Sequence, residues 1–165
     1  MGLLNLALAI LFLGPIISPL FRATGLPLLA DAGLLARDLL SAYVCPTPER
    51  SYMLLGLPMA VCARCWGATI GLIVARTLFR ATGESSAAAS ASLHVRLLNR
   101  FRQAPIAVRL LLSALPFLLW PLEIVGAAQG LWYAPLWLLL LNGAQAGFFA
   151  GLFLYSIWKG LEIRD

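Results

Sequence analysis

The chain has 165 residues, 61% of them hydrophobic and 12% charged, with a mean hydropathy of +0.89. A composition this far from the soluble average excludes a water-soluble globular domain and points to an integral membrane protein, read as a single helical domain over 1–165. Twelve Lys and Arg against seven Asp and Glu give a net charge of +5. Beside apolar spans such arginines fix topology and meet anionic lipid headgroups, so membrane lipid rather than nucleic acid is the expected partner.

Residues 3–21 carry no charge, and a stretch of that length crosses a hydrocarbon core of roughly 30 Å. Pro15 and Pro19 are expected to bend or end this first span near its far side. No basic residue precedes the run and no small-x-small site follows it before Arg22, which argues against a cleaved signal peptide. Over 24–44 the charges Asp31, Arg37 and Asp38 interrupt the apolar residues. The pattern predicts an amphipathic helix lying at the interface, with Leu34, Leu35, Leu39 and Leu40 turned inward.

Residues 59–79 make a second span, in which Gly67 and Gly71 stand at the small-xxx-small spacing that lets helix backbones approach. A basic linker over 81–104 follows. It combines a small-residue run with a short amphipathic helix bearing Arg96, Arg100 and Arg102, and it places the sole histidine, His94, on a surface segment. The third span, 106–124, contains Pro116 and Pro121 and reaches Glu123, before a loop where Trp132 and Tyr133 suit the headgroup level. The fourth span, 136–158, repeats glycine at Gly143, Gly147 and Gly151 and carries Asn142 and Gln145, read as interhelical hydrogen-bonding groups or the lining of a polar path. The fold class is therefore all-α, with about four transmembrane helices and one interfacial helix.

Arg76, Arg80, Arg96, Arg100, Arg102 and Arg109 flank the middle loop, joined by Lys159 and Arg164, whereas Arg22, Arg37, Arg50 and Arg64 fall on the other side. The positive-inside rule then places both termini and the 81–104 loop in the cytoplasm and the cysteines outside, although Arg22 argues the other way.

Chemistry concentrates in 45–71, which holds all three cysteines, Cys45, Cys62 and Cys65. Cys62 and Cys65 are one helical turn apart, and both a helix N-terminus and Arg64 between them lower thiol pKa. The trio permits a stapling disulfide, a reactive dithiol, a metal site or simply packed thiols. Covalent haem is excluded, because Trp66 stands where that motif needs His. Glu49, Arg50, Arg64 and Glu123 can form a buried ion-pair cluster tying segment ends together, or an anion site.

Cys45, Glu49-Arg50-Ser51, Gly56, Pro58, Cys62-x-Arg64-Cys65-x-Gly67 and Gly71 together resemble a bacterial family of small predicted membrane proteins of unknown function, the DUF2085-like proteins. Pro121-Leu122-Glu123 and the later glycines echo the rest of its pattern. The resemblance implies a helical protein of the bacterial cytoplasmic membrane and brings no activity with it. The family pattern has His directly after the first Cys, where this chain has Pro46. Three Cys and one His would complete a tetrahedral zinc set, so without that His a closed site needs Glu49, Asp38 or Glu123, and no cofactor is expected unless zinc binds.

No catalytic set of the triad or metallohydrolase kind is present in the sequence, which favours a non-enzymatic small subunit, assembly partner or scaffold in a membrane complex or homo-oligomer. The alternatives are a thiol-redox or metal-binding membrane protein and, after it, a small transporter or channel for an anion or small solute.

Overall fold

The computed structural model describes residues 2–45, 47–83 and 93–162. Pro46, most of the small-residue linker (84–92) and Arg164 lie outside the described residues, as do the side chains of Arg80, His94 and Lys159. Seven helices carry the fold: α1 (Gly2–Ala23), α2 (Pro27–Tyr43), α3 (Ala63–Gly83), α4 (Leu93–Gln103), α5 (Ile106–Ala114), α6 (Leu119–Ala128) and α7 (Leu136–Glu162). A 3-10 turn, Leu115–Leu118, joins α5 to α6 with Pro116 inside it, so the third span is one long helix with a proline-tightened middle. Among the described residues three stretches are long and apolar enough to cross a membrane: Leu4–Ala23, Ile106–Ala128 and Leu136–Tyr155. α3 starts at Ala63 rather than Met59. The residues before it form a small hairpin that the all-α expectation lacked, β1 (Met53–Leu54) against β2 (Leu57–Pro58). Its turn is Leu55-Gly56, both at positive φ, the backbone sense that suits a two-residue hairpin loop.

α3 and α7 form the centre of the bundle. They run parallel: Gly143 abuts the Arg64 carbonyl, Gly147 that of Ala68, and Gly67 and Gly71 abut the carbonyls of Leu140 and Ala144. A Cβ at any of the four would collide with that backbone. Removing side chains from both faces lets the helices close to contact distance, where packing and Cα–H···O contacts replace a hydrophobic driving force that lipid does not supply. The two glycine faces therefore serve each other.

α2 behaves differently from the expectation. It folds back antiparallel along α1, with Gly33 against Ser18 and Phe21, Leu40 against Gly14, and the buried Ser18 hydroxyl donating to the Gly33 carbonyl at 2.8 Å. Leu34, Leu35 and Leu39 are exposed, and only Leu40 packs inward, beside Cys45 and Cys62. The buried face of this helix is its glycine, because closeness to α1 requires a small residue while leucines can face lipid.

Pro15 and Pro19 do not end α1, which continues to Ala23. Pro19 has no N–H for the carbonyl of Pro15, and the Ala60 N–H takes that acceptor instead at 3.4 Å. Trp66 Nε1 donates to the Phe12 carbonyl at 3.2 Å, and its ring stacks on Phe12. These links set the start of α3 level with the middle of α1, not with its end. Likewise Arg64 meets α7 at Gly143, seven residues past the α7 start, or about 10 Å along the helix. The thiol segment thus lies inside the bundle rather than at its outer rim.

Gly147→Ala should lower stability by about 1–3 kcal/mol, because the new methyl must push two backbones apart. Thermal unfolding in detergent micelles checks this, and an unchanged midpoint would contradict the close approach.

Candidate metal centre and ion-pair site

Three segments bring the cysteines together. Cys45 follows α2 and is held by its backbone N–H to the Leu40 carbonyl, 3.1 Å. Cys62 is the residue before α3, whose first N–H, that of Ala63, is taken by the Arg50 carbonyl at 3.0 Å. Cys65 sits one turn further on. The three Sγ atoms lie within 4.8 Å of one another, with Cys45 and Cys62 buried, Cys65 half-buried, and no disulfide among them.

Backbone donors aim at these sulfurs. The Cys62 N–H donates to Cys45 Sγ at 3.1 Å and the Cys65 N–H to Cys62 Sγ at 3.4 Å, so Cys62 caps α3 through its sulfur. An N-terminal helix position and N–H donation both favour the thiolate.

Beside the thiols lies a buried ion cluster. Glu123 on α6, 5% exposed, takes Arg50 on one oxygen, Nη1 to Oε1 at 2.5 Å, and Arg64 Nη2 on the other. Arg50 also donates to the Ala134 carbonyl at 2.5 Å and stacks on Tyr133, its Cζ 5.0 Å from the ring centre. Arg64 lies over Trp120 at 5.3 Å. Aromatic faces thus back both guanidinium groups. A cavity of about 360 Å³ touches both clusters, with Cys62, Thr47, Glu49, Arg50, Arg64 and Glu123 on its wall.

Of the residues singled out from the sequence, Arg50, Arg64 and Glu123 meet, Gly67 and Gly71 pack on α7, and Ser51 is buried with its hydroxyl unbonded among the described residues. Glu49 is exposed at the cavity rim and belongs to neither ion pair. Glu123 is taken by two arginines and Asp38 is exposed, so neither extends the thiol set. Gln145 is exposed on α7, whereas Asn142 is half-buried with its Oδ1 unbonded among the described residues. The sequence reading missed Trp120 and did not pair Tyr133 with Arg50. Trp120 stands three residues before Glu123 on one helix face, a spacing that was available as a signal.

Glu123→Gln leaves two buried guanidinium groups without a countercharge and should cost about 3–5 kcal/mol, whereas the apolar triple replacement Arg50→Met, Arg64→Met, Glu123→Leu should recover most of that loss. Chemical denaturation of the reconstituted proteins measures both, and a Glu123→Gln variant as stable as the parent would contradict the cluster.

The sequence profile described as "Predicted membrane protein (DUF2085)" matches residues 45–153, from the first cysteine through the last glycine of the α7 face. No curated protein and no solved structure matches the chain. The matched stretch contains the thiol trio, both arginines, Glu123 and the paired glycine faces, and the chain belongs to the DUF2085 family of predicted membrane proteins.

Proposed function

We propose that this protein is a membrane scaffold that holds one divalent ion of the zinc class on Cys45, Cys62 and Cys65. The observation that supports it is the convergence of every thiol in the chain, within 4.8 Å, at a largely buried point with backbone N–H groups aimed at the sulfurs. A tetrahedral ion bonded at about 2.3 Å keeps its sulfur ligands roughly 3.8 Å apart. An inward shift of about 1 Å or less therefore closes the trio on a metal. Thiolate ligands favour soft and borderline ions.

Charge favours a divalent ion over a monovalent one. Three thiolates around a divalent ion leave one negative charge, and Arg50, Arg64 and Glu123 beside them leave one positive charge. The combined unit is neutral, which is the condition for burying it inside a helix bundle. A fourth ligand enters from the cavity, since Cys62 is the thiol on its wall; a water keeps the unit neutral, whereas Glu49 at the rim would leave it one charge negative.

The ion pins the end of α2 to the start of α3, and so works as a staple for assembly rather than as a catalyst. In this reading α3 makes a fourth crossing parallel to α7, with Arg64 satisfied inside the protein. The termini and the basic 81–104 stretch face the cytoplasm of a bacterial inner membrane, as the arginine distribution supports. A membrane complex or a homo-oligomer would then form through faces other than the glycines, which are already used between α3 and α7.

Elemental analysis of the protein in lipid nanodiscs should find about one zinc per chain. Cys45→Ser, Cys62→Ser or Cys65→Ser should each release it and open the remaining two thiols to alkylation. Three freely alkylated thiols in a folded, metal-free parent, or a disulfide within the trio, would overturn the reading.

A further inference from the structure

The surroundings of the thiol trio are unequal. Leu40, Val61 and Trp66 pack around Cys45 and Cys62, so a cation approaching from that side would exchange its water shell for hydrocarbon, which is prohibitively costly. The polar approach is the cavity of about 360 Å³, whose wall carries both the exposed Glu49 and the buried Cys62. Its rim is made by segments outside the long helices: Glu49 lies ahead of the hairpin, and the exposed Tyr133 lies between α6 and α7. One cavity thus connects an accessible carboxylate to a buried sulfur.

The charges on that wall decide what can pass. Arg50 and Arg64 against Glu123 leave one positive charge, which repels a divalent cation. Glu49 is the remaining charged side chain on the wall, it belongs to neither ion pair, and it brings the sum to zero. Its oxygens also suit the hand-over. A carboxylate binds a zinc-class ion, and thiolates, as softer ligands, take the ion from it.

We propose that Glu49 is the entry ligand for the metal, capturing a divalent cation at the cavity rim and passing it to Cys62. The carboxylate–metal bond breaks as the Cys62 sulfur–metal bond forms, the thiol proton leaves to water, and Cys45 and Cys65 then close on the ion. This rests on the metal reading above and adds the route by which the ion arrives. Glu49 stays at the rim once the trio is loaded.

The test is the rate of loading. The full chain in lipid nanodiscs is stripped with a chelator and mixed with cobalt(II) chloride, and the cobalt–thiolate absorption band is followed in time. Glu49→Gln should reach the parent's final spectrum and stoichiometry but load about tenfold more slowly, because the wall then repels the ion. Glu49→Asp, which keeps the carboxylate, should load nearly as fast as the parent. Ala127→Phe adds bulk to the cavity wall without changing a charge and should also slow loading. Parental rates in both Glu49→Gln and Ala127→Phe would overturn the route, and so would a changed final spectrum in Glu49→Gln, which would make Glu49 a resident ligand. A parent that develops no cobalt–thiolate band would instead overturn the metal reading itself, and the route with it.

Discussion

Much of this structure depends on one carboxylate. Glu123 sits inside the bundle between Arg50 and Arg64, and so joins the loop before the hairpin, the first turn of α3 and the last third of the long α5–α6 span. Burying three charges costs several kcal/mol per ion, and the attraction among them offsets that only when geometry and hydrogen bonding are good. What such a cluster contributes in addition is position. An unpaired guanidinium or carboxylate at this depth would be costly enough that competing placements of the loop are suppressed. With Arg50 fixed, its carbonyl caps α3, and the chain from Cys45 to Cys62 has little freedom left.

The thiol trio then follows from two neighbouring constraints. The parallel α3 and α7 backbones close on each other through four glycines, which fixes where α3 begins relative to α7. The carbonyl left over by Pro19 receives the Ala60 N–H, which fixes that same beginning relative to α1. α2 returns along α1 and delivers Cys45 to the point where Cys62 and Cys65 emerge. A proline in one helix thus becomes a register mark for another.

What could be read from the sequence, and what could not, divides along a physical line. Gly67, Gly71, Gly143 and Gly147 announced themselves because lipid offers no reward for burying leucine, so small residues mark close packing. Arg50, Arg64 and Glu123 were legible as partners because charges amid apolar sequence need one another. α2 was harder to read. Leu34, Leu35, Leu39 and Leu40 were assigned inward as the apolar face of an interfacial helix, whereas the residue that α2 buries against α1 is Gly33, because leucine can face lipid and only a small residue permits the close approach. The depth of the thiols was hidden for another reason. It depends on pairings such as Trp66 with Phe12 and Ala60 with Pro15, which span more than forty residues and leave no periodic trace. The hairpin at Leu55-Gly56 is two residues per strand, too short for any alternation to show.

Placed together, the ion cluster, the converging sulfurs and the backbone N–H donors describe one polar unit built into a largely apolar bundle. The central claim is that this unit is completed by a metal ion bound through sulfur. Zinc K-edge X-ray absorption of the purified protein tests it most directly. The account predicts three sulfur neighbours at about 2.3 Å with one lighter atom completing the shell. A first shell of nitrogen and oxygen alone would contradict it.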